Sequence, residues 1–237
     1  MSPLSLALIL AMGAQAVNDG SAPPPTVHEL TEADIAQRQY AWRAISVCPL
    51  MSTTVVAVER RSTTLCVAGP LNSDLERLVS DDALKGVDAV VVTSPGGYWI
   101  SAYRLGERLR AADITLVTYR ECFSACASVL VPMARRKIIF DLTRFGFHGG
   151  IPPANLAPSL HPDFPPARIA EMQKNLTTVR DGLAALKIDP NIGADVPDEQ
   201  NIYASGGTSV MWRPTRKAYE GWGVSGVLYY APSGRPE

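Results

Sequence analysis

Residues 87–93 read VDAVVVT, an almost unbroken apolar run. A strand that must keep one face in water alternates apolar and polar residues; a continuous run belongs to a strand covered on both faces. Two further short apolar runs follow, at 114–119 and 137–140. Between them lie stretches of helical periodicity. In 99–111, Ala102, Leu105 and Leu109 form one stripe with Arg104, Glu107 and Arg108 elsewhere, and 125–133 is small and apolar throughout. Strand, helix, strand, helix, strand with short links predicts an α/β fold built on a mainly parallel sheet.

The flanks extend this frame. Runs rich in β-branched residues at 53–59 and 63–68, separated by Arg60-Arg61-Ser62, predict a hairpin. Residues 73–84 predict a helix capped by Ser73, and 168–187 a long helix through Ile169, Met172, Leu176, Val179, Leu183 and Leu186. A short helix is expected at 31–44 with Thr31 as its N-cap, a helical turn at 215–219, and a last strand within 223–230. Six prolines in 151–166 argue for an irregular loop there, and 189–207 reads as loop.

The chain has 237 residues, 46% of them hydrophobic and 19% charged, with a formal net charge of −1. That suits a globular protein with a real core. Arg135-Arg136-Lys137 is the longest basic block, so nucleic-acid binding has no electrostatic basis. Residues 4–11 are apolar and Ala14-Gln15-Ala16 has the small-x-small form of a cleavage site, so 1–16 is read as a signal peptide, although no Lys or Arg precedes the apolar run. Residues 17–47 then form a proline-rich tether and the short helix, and 48–237 the folded domain. A periplasmic or secreted protein with no stable membrane span after cleavage follows from this. Four cysteines fit an oxidising compartment. Cys48–Cys66 and Cys122–Cys126 is the preferred pairing, because i,i+4 positions on a helical turn lie within bridging distance; buried free thiols are the alternative. No histidine lies close in sequence to either pair, so no metal is expected.

Three segments carry chemistry. Ser94-Pro95-Gly96-Gly97 ends the first apolar strand. It fits a type II turn, and also a turn whose Gly97 N–H is left open to a substrate oxygen. Ser124, in Cys122-Phe123-Ser124-Ala125-Cys126, follows the second strand. It can be an N-cap or a nucleophile with the Ala125 N–H beside it. His148, after Phe145-Gly146-Phe147, can be a bonded loop histidine or the base that a serine hydroxyl needs.

In order and spacing the three segments resemble the ClpP-like serine peptidases of the ClpP/crotonase fold. Gly97 precedes Ser124 by 27 residues and His148 follows it by 24. The resemblance runs over about 65–150, with a weaker echo at 218–227. It implies a spiral of ββα units with a mainly parallel sheet. It also implies Ser124 as nucleophile, His148 as general base, and the N–H groups of Gly97 and Ala125 as oxyanion hole. The expected activity is that of an exported serine hydrolase acting on a peptide or protein through an acyl-enzyme. No cofactor is called for, and an oligomer is compatible with the reading, although the family's ring-packing features are not recognisable. Two departures stand out. Ser124 lies between cysteines, and no aspartate stands near Gly207, where the third member of the triad would fall. Asp195 and Asp198 are the nearest carboxylates, and Asp198 is carried as the candidate. A catalytically degenerate module that binds peptides or partner proteins in the same cleft is the alternative. Acyl-CoA chemistry of the crotonase branch fits poorly with export.

Overall fold

The computed structural model describes residues 32–140, 143–147, 149–194, 202–204 and 210–229. Its elements in chain order are α1 (Glu32–Ser46), β1 (Ala57–Arg61), β2 (Thr64–Ala68), α2 (Ser73–Leu78), α3 (Asp81–Leu84), β3 (Ala89–Ser94), α4 (Trp99–Ala111) and β4 (Thr115–Phe123). A π-helical turn (Cys126–Leu130) leads into α5 (Val131–Met133), β5 (Arg136–Ile139) and β6 (Arg144–Gly146). After a 3₁₀ turn (Ala154–Leu156) come α6 (Ala157–Leu160), α7 (Pro166–Ala185), β7 (Ile202–Ala204), β8 (Val210–Trp212), α8 (Arg216–Gly221) and β9 (Val227–Tyr229). The signal peptide read at 1–16, and the tether after it as far as Thr31, lie outside the described residues.

The architecture is mixed α/β with a mostly parallel sheet. Among the described residues the strands order as β1-β2-β3-β4-β5-β9, with β1–β2 antiparallel and the other pairs parallel. β4 forks. Its first half pairs with β5 and its last three residues pair with β6. A bulge separates the two halves on the β3 side: Val92 faces Thr118, but Ser94 faces Cys122, so β4 carries two extra residues. Arg120, at φ +61°, sits in that bulge.

The apolar runs divide between two faces as period-2 geometry requires. Val90, Val92, Leu116 and Ile139 join the larger core with the buried stripe of α4 and with Leu176, Val179 and Leu183 of α7. Ala89, Val91, Val117 and Ile138 turn to the other face, where Ala41, Ala44 and Ile45 of α1 cover them. Cys48 and Cys66 lie at disulfide distance, Cα–Cα 5.6 Å, tying the end of α1 to β2.

Several local expectations change. Residues 73–84 are two helices, because Ser80 accepts the Ala83 N–H and starts a new one, while Asn72 rather than Ser73 caps the first. Residues 53–56 are not strand, and the hairpin turns at Ser62, φ +55°. The proline-rich loop holds a 3₁₀ turn and α6, since proline is tolerated in a first helical turn. Residues 202–204 pair with 210–212 within a stretch read partly as loop. The final strand is only Val227–Tyr229. Lys137, counted in the basic block, is 5% exposed and donates to the Pro132 carbonyl. No helix among the described residues is long and apolar enough to cross a membrane.

Candidate active site

The Ser-Pro-Gly-Gly turn ends β3 and is fixed from two sides. Ser94 is fully buried, and its hydroxyl oxygen accepts the Gly96 N–H at 3.1 Å. Leu71 forms a parallel bridge alongside: its N–H donates to the Gly96 carbonyl, and its carbonyl accepts the Tyr98 N–H, each at 2.8 Å. Gly96 has φ +99°, the conformation a type II turn asks of its third residue. The bridge uses neither backbone group of Gly97. Among the described residues the Gly97 N–H has no acceptor, and Gly97 is exposed.

Ser124 stands where β4 ends. Its N–H donates to the Gly146 carbonyl of β6 at 2.9 Å, and its carbonyl accepts both the N–H and the hydroxyl of Ser128, at 2.8 and 3.0 Å. The residue has φ +52°, a left-handed conformation that serine rarely adopts. It stands at the N-cap position, where its carbonyl accepts the first helical N–H, but in a conformation that capping serines do not ordinarily adopt. Ala125 is already helical, at φ −58° and ψ −25°, and among the described residues the Ser124 hydroxyl bonds to no backbone N–H of the helix start and to no other group. Ser124 remains half-buried, while Ala125 is fully buried with an N–H that meets no acceptor among the described residues.

The two turns touch. A Cβ placed on Gly96 would lie 2.6 Å from the Phe123 carbonyl oxygen, 2.7 Å from the Ser124 Cβ and 3.3 Å from the Ala125 nitrogen. Only a glycine allows so close an approach. Two strand-to-helix turns far apart in sequence thus meet at Ser124, each with a backbone donor that has no partner among the described residues. Cys122 and Cys126 straddle the same turn at disulfide distance, Cα–Cα 5.2 Å. They do not share a helical turn as their i,i+4 spacing suggested: Cys122 is in β4 and Cys126 opens the π turn.

His148 lies outside the described residues, as do Asp195 and Asp198. The strand before His148 is described. Its Phe145 and Phe147 are fully buried among Tyr219 and the half-buried Trp222. Trp222 thus packs against the core from its edge. Beside Ser124, Arg144 of β6 pairs with the largely buried Glu121 of β4 at 2.7 Å, and its guanidinium lies 5.7 Å from the centre of the Phe123 ring. The sequence reading passed over this pair, and also over the π turn, whose signal was Pro132 within a helical run.

A cavity of about 520 Å³ opens next to the glycine turn, between α2, α4 and α7. Tyr98, Trp99, Met172 and Leu176 supply apolar wall, and His161 stacks on Phe164 with ring centres 4.6 Å apart. Its charge is largely internal. Glu76 accepts the Ser101 hydroxyl at 2.5 Å and Arg104 at 3.1 Å, while the Arg168 guanidinium covers Phe164 at 4.0 Å. No cluster of metal-ligating side chains occurs among the described residues.

Comparison with known proteins places the chain beside solved structures alone. No family model matches it, and no curated protein matches. Among solved structures, a mutant ClpP1 from Listeria monocytogenes is similar at 13% identity and a TM-score of 0.41, over 71% of this chain and 91% of that one. An enoyl-CoA hydratase from Mycobacterium avium subsp. paratuberculosis is similar at 12% identity and a TM-score of 0.32, over 76% of this chain and 69% of that one.

Proposed function

We propose that the protein is an exported serine hydrolase, acting on peptides or proteins through an acyl-enzyme on Ser124. The observation that carries the reading is the conformation of Ser124. A left-handed serine at a strand-to-helix turn is costly to hold, by about 1–3 kcal/mol, and such strain concentrates at functional sites. Nucleophile elbows of other hydrolases use the same device to push a serine hydroxyl clear of its own backbone. Helix capping would explain a serine at this position, but its hydroxyl makes no capping bond to a described residue and is left to a chemical role.

In this reading the Ser124 hydroxyl attacks the carbonyl carbon of a peptide bond, and His148 takes its proton and returns it to the leaving amine. His148 follows by two residues the Gly146 carbonyl to which the Ser124 amide is bonded. The Gly97 and Ala125 amides, without acceptors among the described residues, would receive the oxyanion as it forms. Asp198 is the proposed orienting carboxylate. The cavity between α2, α4 and α7 would take an apolar or aromatic side chain of the substrate. Export is proposed from the amino-terminal sequence and suits two cysteine pairs at disulfide distance.

Incubation with a fluorophosphonate probe tests the reading. The folded wild type is expected to label on one residue and Ser124→Ala not at all. Wild-type protein left unlabelled would overturn it. The aromatic cavity favours one second reading, a module that holds peptides without cleaving them. Peptide binding that survives Ser124→Ala and His148→Ala, with no turnover by wild type, would select it.

A further inference from the structure

Pro132 falls inside the helical run that follows Ser124. A proline there has no N–H to donate, and its ring crowds the carbonyl four residues back, here Ser128. The run widens into a π turn, and the Val131 N–H reaches back to the Cys126 carbonyl. This leaves the Ala127 carbonyl without a backbone donor. Val131, its α-helical partner, is committed to Cys126, and its π-helical partner would be the N–H that Pro132 lacks. Ala127 is fully buried, where an unpaired carbonyl is costly.

The missing donor comes from 92 residues further along the chain: the Tyr219 hydroxyl donates to the Ala127 carbonyl at 2.5 Å. Tyr219 is itself fully buried in α8, and its ring stacks on Phe147 with centres 5.9 Å apart and tilts against Phe145 at 5.7 Å. Those two residues flank Gly146, whose carbonyl holds the Ser124 N–H, and Phe147 directly precedes His148. One side chain therefore bears on the turn that carries the serine and on the strand that leads to the histidine.

We infer that Tyr219 is a positioning residue, which holds the Ser124 turn in its left-handed conformation by completing the hydrogen bonding of the π turn behind it. The inference rests on the proposed function only in giving that turn a chemical role. Tyr219→Phe tests it, because it deletes the hydroxyl and keeps the ring on Phe147.

The variant is expected to react with the fluorophosphonate at a maximal rate lower by about tenfold or more. Probe affinity should be unchanged, and the pH midpoint of labelling should be displaced from the wild-type value. A variant with wild-type maximal rate and wild-type midpoint would overturn the inference, whatever its melting temperature. Hydrogen exchange over residues 122–131 separates this failure from failure of the hydrolase reading. Exchange faster there than in β2 and β3 upholds the positioning role even if the wild type never labels; exchange unchanged there refutes it. Should Tyr219→Phe not fold, adding Pro132→Ala returns a backbone N–H to the turn and is expected to restore folding. A double variant that also fails to fold would count against the inference.

Discussion

Gly96 gives the most direct measure of how tightly Ser124 is held. In Gly96→Ala the new Cβ would sit 2.7 Å from the Ser124 Cβ and 2.6 Å from the Phe123 carbonyl oxygen. Ordinary contact begins near 3.4 Å, so Ser124 must give way by about 0.7 Å. A displacement of about 1 Å at a reacting group costs roughly 100-fold in rate, and labelling by a fluorophosphonate should fall by about that order. The backbone contributes separately, since alanine at φ +99° costs about 1–3 kcal/mol of stability. For a chain of this size that lowers the melting temperature by roughly 2–4 °C per kcal/mol. Gly86→Ala separates the two effects. Gly86 has φ +66°, and a Cβ there would meet only the end of the Arg60 side chain, at 3.4 Å. It should lose stability for the same backbone reason, by about 1–2 kcal/mol, and keep its labelling rate. The assay pairs labelling kinetics with thermal unfolding for both variants. Gly96→Ala labelled at the wild-type rate would refute the close packing of the two turns as a control on Ser124.

The two cysteine pairs should separate stability from activity. By loop length, with sequence separations of 18 and 4, losing Cys48–Cys66 should cost about 3 kcal/mol and losing Cys122–Cys126 about 2 kcal/mol. Alanine at both positions of each pair is expected to show the opposite order in labelling rate, with Cys122/Cys126 the more damaging; the reverse order in either measurement would defeat this. Lys137, desolvated by burial and facing Arg110, has its pKa lowered from 10.5 to about 7. Between those values the unfolded chain holds a proton that the folded protein has released, so stability should rise with pH across that window, by up to about 1.4 kcal/mol per unit. Lys137→Met should flatten the rise when denaturant unfolding is compared from pH 7 to 9.5, and an unaltered slope would show that Lys137 is not its source.

How much of this was legible in the chain depends on what each residue had to satisfy. The apolar strands were readable because burial on two faces leaves a continuous run, and α4 was read to its ends. β4 was not, since Tyr119, Arg120 and Glu121 look like a strand's end and the fork carries the pairing onward to β6. Asn72 and Ser80 are both good caps, and only packing decides that two short helices replace one long one. At the site, spacing singled out Ser124 and Gly97, but not the intimacy of Gly96 with Ser124, which depends on how two distant turns dock. Nor could it show Tyr219 answering Pro132, because the residue that creates the need and the one that meets it lie on different helices. His148 and Asp198 are outside the described residues, and their roles remain those assigned by proposal.

The first helix has a practical bearing on where this protein can be cut. Val91, Val117 and Ile138 would lie bare to solvent in any shortened chain begun after Ser46, and so would one side of Phe140, which packs with Trp42. A chain begun after Cys48 would in addition leave Cys66 without the sulfur it now faces. A sticky, oxidisable sheet surface is a recipe for clumping. A piece intended to behave as an independent folding unit therefore has to begin at or before Glu32.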